Sequence, residues 1–334
     1  MPVISLGDMA QQFSAMRNGG TIKSELSRLT QRMSSGRVED VTTHLNGRTE
    51  RFSGVRHSIA QLDGHLQSAR ETSQMLANMQ MIFQRVDLVR AETSRQLLSI
   101  TPDSQPTQIN EAATAARGAF ASMVSALNTR LADRALMGGV SVDMQPLADA
   151  DDMLANLQVF VGGATTSIAI MTAVDNWFDD PAGGFATIGY LGDTGDPIQK
   201  RLNNDTLVRV DARADDPAVK QTLKAAAIAA LVSEVPTLVD AAKYELLQEA
   251  ATRLFAASSG LVAMQSRIGL VEETVQRAEV EMNAQQAALK IVANDLISAD
   301  PFDTASRLQA VQLQLETHYT VTARMSQLSL LRYI

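Results

Sequence analysis

Residues 261–296 read LVAMQSRIGLVEETVQRAEVEMNAQQAALKIVANDL. Their apolar members recur at alternating steps of three and four. Leu261, Met264, Ile268, Val271, Val275, Ala278, Met282, Leu289, Val292 and Leu296 form the series, with Gln285 as its only polar member. That spacing places one side chain per turn on a single helix face, and a repeat near 3.5 residues is that of a coiled-coil seam. Working outward, Phe52, Val55, Ile59, Leu62, Leu66 and Ala69 follow the same rule, and Leu76, Phe83 and Val86 stay in phase. A shorter seam passes through Ala113, Ala116, Phe120, Met123 and Leu127. It is separated from the preceding one by ITPDSQPTQ, where Pro102 and Pro106 stop a helix and a short turn makes the two antiparallel neighbours. At 1.5 Å rise per residue, the long helices span roughly 50 to 70 Å, more than a compact domain accommodates. The expected fold is mainly α: an elongated antiparallel coiled-coil or helical rod built from both chain ends, with a small α+β insert. A seam is ordinarily an internal core, so it establishes packing and not partnership.

Composition agrees with helix. Aromatic residues make up only 4% of the 334 residues, whereas 45% are hydrophobic, a bias toward helices over sheets. A net charge of -8 argues against nucleic acid, whose phosphates require a basic face. The charge is uneven: residues 149–216 contain twelve Asp against four Lys and Arg, which reads as a solvated, outward-facing part. With no cysteine, neither a disulfide framework nor a thiolate metal site is possible.

The two ends form a matching pair. Before SSGR at 34–37, Leu6, Met9, Phe13 and Met16, then Ile22, Leu26, Leu29 and Met33, keep three-four spacing with an interruption at Gly19-Gly20. After ADP at 299–301, where Pro301 breaks the long helix, Leu308, Val311, Leu315, Tyr319, Thr322 and Met325 do the same, and Leu328, Leu330, Leu331 and Ile334 extend the apolar surface to the last residue. Chain ends are ordinarily hydrophilic unless something ties them down. An isolated amphipathic helix is marginal in water, so these faces are expected to need partners. The expected division is 1–37 as N-terminal assembly helix, 38–148 as rod helices, 149–235 as the acidic outer insert, 236–299 as the returning rod helix and 300–334 as C-terminal assembly helix. Within the insert, GGFATIGYLG and PIQKRLNNDTLVRVDA predict two or three short strands between about 185 and 212. Asp215 or Asp216 caps a helix opening on Pro217, and another helix begins near Pro236.

Chemistry is sparse. The histidines, His44, His57, His65 and His318, lack the helical spacing of a zinc site, and no glycine-rich phosphate loop or dinucleotide fingerprint is present. Asp179-Asp180 and Asp215-Asp216 each precede Pro and fit turns or helix caps better than acid-base catalysis. No enzyme, metal or cofactor is expected. Residues 153–174 are uncharged but include Asn156, Gln158, Gly162 and Gly163, too polar for a membrane span. The first twenty residues lack the basic start before an apolar run that a cleaved secretory signal needs.

ELSRLTQRMSSGR at 25–37 and NDLISADPFDTASRLQAVQLQLETHYTVTARMSQLSLLRYI at 294–334 resemble the two ends of the bacterial flagellin family. NTRLADRALMGGVSVDMQPLADADDML at 128–154 is similar to the passage from rod helix to outer domain in its hook-associated branch, the proteins of the hook-filament junction. Two departures mark a divergent branch: VEDVTTHLNGRTERF follows Arg37, and Met137 stands before Gly138-Gly139 where the branch has an aromatic. The resemblance implies a structural axial subunit, exported unfolded through the flagellar type III apparatus with a chaperone on its C-terminal helix. Its implied location is the secreted flagellum, and its implied partners are copies of itself, another hook-associated protein and flagellin. Rival readings are flagellin itself and, from another class, a soluble coiled-coil secretion adaptor.

Overall fold

A computed structural model describes residues 6–235 and 238–331, the side chains of 6–9, 11, 12 and 326–331 excepted. Helices dominate: α1 (Leu6–Ser35), α2 (Val41–His44), α3 (Glu50–Leu98), α4 (Pro106–Leu127), α5 (Ala150–Val161), α6 (Ser167–Asp179), α7 (Pro217–Glu234), α8 (Asp240–Ile297) and α9 (Pro301–Leu331). Two antiparallel hairpins interrupt them, β1 (Arg130–Leu131) with β2 (Arg134–Ala135), and β3 (Ile198–Arg201) with β4 (Leu207–Val210). The mainly α class with a small β-containing insert is therefore the fold observed. The chain divides into two compact units, Met1–Asp63 with Asn283–Ile334, and Gly64–Met282.

In the larger unit, α3 and α8 run antiparallel in one constant register. Gln80 Nε2 donates to the Gln265 carbonyl (2.8 Å), Arg90 Nη1 to that of Leu254 (3.0 Å), and Ser94 Oγ to that of Ala251 (2.9 Å). These side chains reach across to satisfy groups that burial would otherwise strip of water. Between them lie Leu76, Met79, Phe83 and Val86 of α3 and Leu254, Leu261, Met264, Ile268, Val275 and Met282 of α8, all buried. Along the heptad, Leu66 is buried, whereas Val271 is half-buried.

The alanine run of α7 explains its position. Ala225 through Ala230 are all completely buried, and α7 packs closely against α4, whose buried residues include Ala113 and Ala116. Small side chains let two backbones approach, because the interaxial distance follows the residues at the crossing. Asp216 caps α7 by accepting from Ala218 N (2.9 Å), with Pro217 at the first helical position, as the sequence predicts. α5 and α6 cover this pair. Gly162, at φ +61, separates them, so 153–174 is two short helices.

Two sequence expectations are corrected here. Phe185–Gly189 is a π-helical turn and not a strand; only the later pair, β3 and β4, is extended. The reason lies at Gly184, where a Cβ would sit 1.8 Å from Trp177 Nε1. The chain must pass directly over the indole, so Phe185 stacks on Phe178 (5.3 Å between centroids) while Trp177 Nε1 donates to Asn156 Oδ1 (2.8 Å). The second correction concerns the polar seam position. Gln285 is exposed and Gln286 is buried in its place, consistent with the drift of a straight helix relative to a strict seven-residue repeat. Gln286 donates to Asp63 and accepts from Lys290 Nζ (2.6 Å).

The smaller unit is built on α1 and α9 with the first turns of α3 and the last of α8. Gly36, at φ +66, ends α1 as a left-handed cap, its N–H donating to the Arg32 carbonyl (2.9 Å). Asp300 opens α9, accepting from Phe302 N (2.8 Å) and Asp303 N (3.1 Å) with Pro301 at the first helical position. The two caps are tied together: Val38 N donates to the Ile297 carbonyl and Ala299 N to that of Gly36, both at 2.9 Å. Thus SSGR and ADP are one structural junction read twice.

Candidate assembly interface

Whatever the terminal helices bind must meet the surface they leave open. α1 and α9 lie antiparallel: Arg37 bridges Ser298 at one end, and further out Gly19 meets His318 and Lys23 meets the Tyr319 ring. Gly19 and Gly20, where the three-four spacing breaks, lie within a continuous α1. Gly19 instead permits a close crossing, since a Cβ there would lie 2.9 Å from His318 Nε2. Lys23 Nζ stands 5.6 Å from the Tyr319 ring centroid, a weak cation–π contact at this exposure.

The predicted terminal residues divide into two sets. Leu29 is buried, and Ile22, Leu26, Leu308, Val311 and Leu315 are half-buried; these form the inward set. Phe13 (72% exposed), Met16 (66%), Met33, Tyr319 and Met325 face solvent. Leu6, Met9, Leu328 and Leu331 lie outside the described side chains. Sequence spacing alone merged both sets into one face. It also passed over Phe302 (81% exposed) and Leu313 (65%), because neither falls on the three-four series. Their signal is apolar character at positions where the seam calls for a polar residue.

Of the predicted seam residues in this unit, Phe52, Val55, Ile59 and Leu62 of α3 and Leu289, Val292 and Leu296 of α8 are half-buried. Across α1 and α9 together, only Leu29 and Thr304 are buried among the described residues. This pair of helices holds too little internal core to be stable alone, given what ordering each residue costs.

The electrostatics are local. Arg28–Glu25 and Arg307–Asp303 are exposed pairs within one helix, each worth little. Asp40 caps α2, and the Thr43 hydroxyl and N–H hold its carboxyl below the usual carboxylate range. No group of three or more His, Cys, Asp or Glu positioned for a metal occurs among the described residues. The candidate carboxylate pairs are occupied structurally: Asp179 takes Lys224 Nζ (2.6 Å), Asp180 Oδ1 caps Ala182 N (2.8 Å), Asp215 takes Arg213 (2.9 Å), and Asp216 takes Arg267 (2.7 Å).

Comparison with known proteins adds to this geometry. Residues 245–334 match the family model of the bacterial flagellin C-terminal helical region. That match takes in most of α8 and all of α9. No curated protein matches the chain. Among solved structures, the chain is similar to one described as a flagellar hook-associated protein from Vibrio parahaemolyticus, at 9% identity and a TM-score of 0.49, covering 73% of this chain and 95% of that one. It is also similar to FlgL of Bacillus cereus, at 12% identity and a TM-score of 0.43, covering 73% and 99% respectively.

Proposed function

We propose, from the premise that residues 245–334 are a flagellin-type C-terminal helical region, that this protein is a structural axial subunit of the bacterial flagellum that joins hook to filament. It polymerises through its terminal helices. One observation carries the reading: α1 and α9 pair with each other through one face yet leave Phe13, Met16, Leu313, Tyr319 and Met325 in solvent. Each such side chain stabilises by roughly 1.5–3 kcal/mol once a neighbour covers it. Several at each end supply the free energy that ordering these helices requires. Contacts between unlike surfaces of successive copies generate an open helical array, the symmetry of a tube. The partners are then copies of this chain, another hook-associated protein and flagellin, reached after export through the type III apparatus with a chaperone on α9.

The junction role, as against a bulk filament role, is supported by the likeness of 128–154 to the hook-associated branch. Gene deletion separates the two. Loss of a junction subunit leaves complete hooks that leak flagellin monomers into the medium; loss of flagellin leaves nothing to leak. A soluble adaptor would produce neither result, and its purified form would not co-assemble with hook components under the electron microscope.

A further inference from the structure

We propose that the groove between α3, the β1–β2 hairpin and β3 receives Phe302 and its flanking carboxylates from a second copy of this chain. The inference rests on the self-association proposed above and gives it a specific contact. The groove encloses about 470 Å³, within the range of roughly 300–1,000 Å³ typical of binding cavities. Met75, Leu131, Val140 and Ile198 supply apolar walls. Arg134 and Lys200 line it as well, without an ion-pair partner among the described residues, against one carboxylate, Glu71, which accepts from Gln67 Nε2 at 3.1 Å. The lining is thus apolar with a net positive charge.

The turn bounding this groove is strained. Ala132 (φ 48) and Asp133 (φ 61) both adopt the left-handed region, where two-residue hairpins ordinarily use Asn-Gly or Asp-Gly. Arg130 holds the turn, its Nε donating to the Asp133 carbonyl (3.1 Å). A hairpin that keeps a disfavoured backbone beside a cavity points to a shape retained for binding. Val140, at 59% exposure, shows that the apolar wall continues to the surface.

The matching knob is on the same sequence. Phe302 is 81% exposed, the highest value among the described large hydrophobic residues. Its backbone is fixed by the cap, because its N–H and that of Asp303 both donate to Asp300, so only the side chain is left to order on docking. Asp300 and Asp303 flank the ring in sequence, Asp303 accepting from Arg307 Nε (3.0 Å) in an exposed pair that contributes little. A phenyl ring needs the apolar walls, and the two carboxylates face Arg134 and Lys200, which complement them in sign. Because knob and groove are different surfaces, the contact runs head to tail and leaves one of each free at the ends of any array.

The absence of cysteine makes the test direct. Full-length Ser306→Cys, with the thiol one turn beyond an intact Phe302 on exposed α9 surface, and Val140→Cys proteins are mixed, polymerised and air-oxidised, with Ser306→Cys plus Phe255→Cys as control. The expected result is disulfide-linked dimer at least tenfold above the control pair. In parallel, a fluorescent peptide of residues 298–308 is titrated into the monomeric full chain. Saturable binding is expected, weakened at least tenfold by Phe302→Ala in the peptide or by Arg134→Glu with Lys200→Glu in the protein. Polymers without the cross-link overturn the inference while the structural-subunit reading stands. Peptide binding by a chain that never polymerises sustains the groove and removes that reading. Absent binding up to millimolar peptide, or binding indifferent to these substitutions, overturns the assignment.

Discussion

α7 and α9 are both helices with ample apolar residues, yet they are stabilised in opposite ways. On α7, Val219, Thr222, Leu223 and everything from Ala225 to Leu231 are buried within the same chain. On α9, only Thr304 is buried among the described residues. α7 buries its apolar surface within its own unit, whereas α1 and α9 leave much of theirs in solvent. The difference teaches that hydrophobic content does not say where a helix finds its partner; the completeness of its burial does.

The sharpest way to break that contrast is to remove the terminal helices. Deleting residues 1–35 and 301–334 together is expected to abolish polymerisation outright while the larger unit keeps a cooperative thermal transition, followed by circular dichroism and electron microscopy. A truncated protein that still polymerises normally would erase the distinction between the two regions. Hydrogen exchange on the intact monomer sharpens the same point, with amides of α1 and α9 exchanging far faster than those of α4 and α7.

Single substitutions follow in size. Phe83→Ala, at a completely buried position of α3, is expected to lower unfolding stability by about 3–5 kcal/mol. Phe13→Ala is expected to change monomer stability by no more than about 0.5 kcal/mol yet raise the protein concentration needed for polymerisation. Denaturant titration of both variants beside a polymerisation assay decides it. Gly184→Ala would force the chain off the Trp177 indole and is expected to cost about 1–3 kcal/mol, with a change in tryptophan fluorescence as the local report.

The smallest effect concerns Asp215. Burial pushes its carboxyl above the usual range, and Arg213 beside it only partly offsets this. A carboxyl with a raised folded-state pKa binds its proton more tightly in the native state, so its contribution to stability is present at low pH and lost as pH rises through that value. Asp215→Asn is therefore expected to flatten a decline in stability on going from pH 4 toward neutrality. An unchanged pH profile by denaturant titration would show that Arg213 governs the group entirely.

The helices were legible in the residues because their signals are local. Pro217 with Asp216, Pro301 with Asp300 and the glycine of SSGR each mark a helix end through a hydrogen bond made within a few residues. The π turn at Phe185 was not legible, because it depends on Trp177 lying beneath Gly184. The β1–β2 hairpin was missed for a related reason: Ala132 carries little preference for the positive φ it adopts, so the turn lacks the usual Asn-Gly or Asp-Gly signal.

By itself, the sequence determined that this is a helical protein, where α7 and α9 are capped, and that both termini present apolar faces, since helix periodicity and capping act over one or two turns. Tertiary structure alone decided which apolar residues are inward. Phe13 and Leu29 belong to two runs with the same three-four spacing on α1, but the second is buried and the first is left in water. It also decided that Gln286 and not Gln285 enters the seam, because the phase of a long helix is fixed by what packs against it.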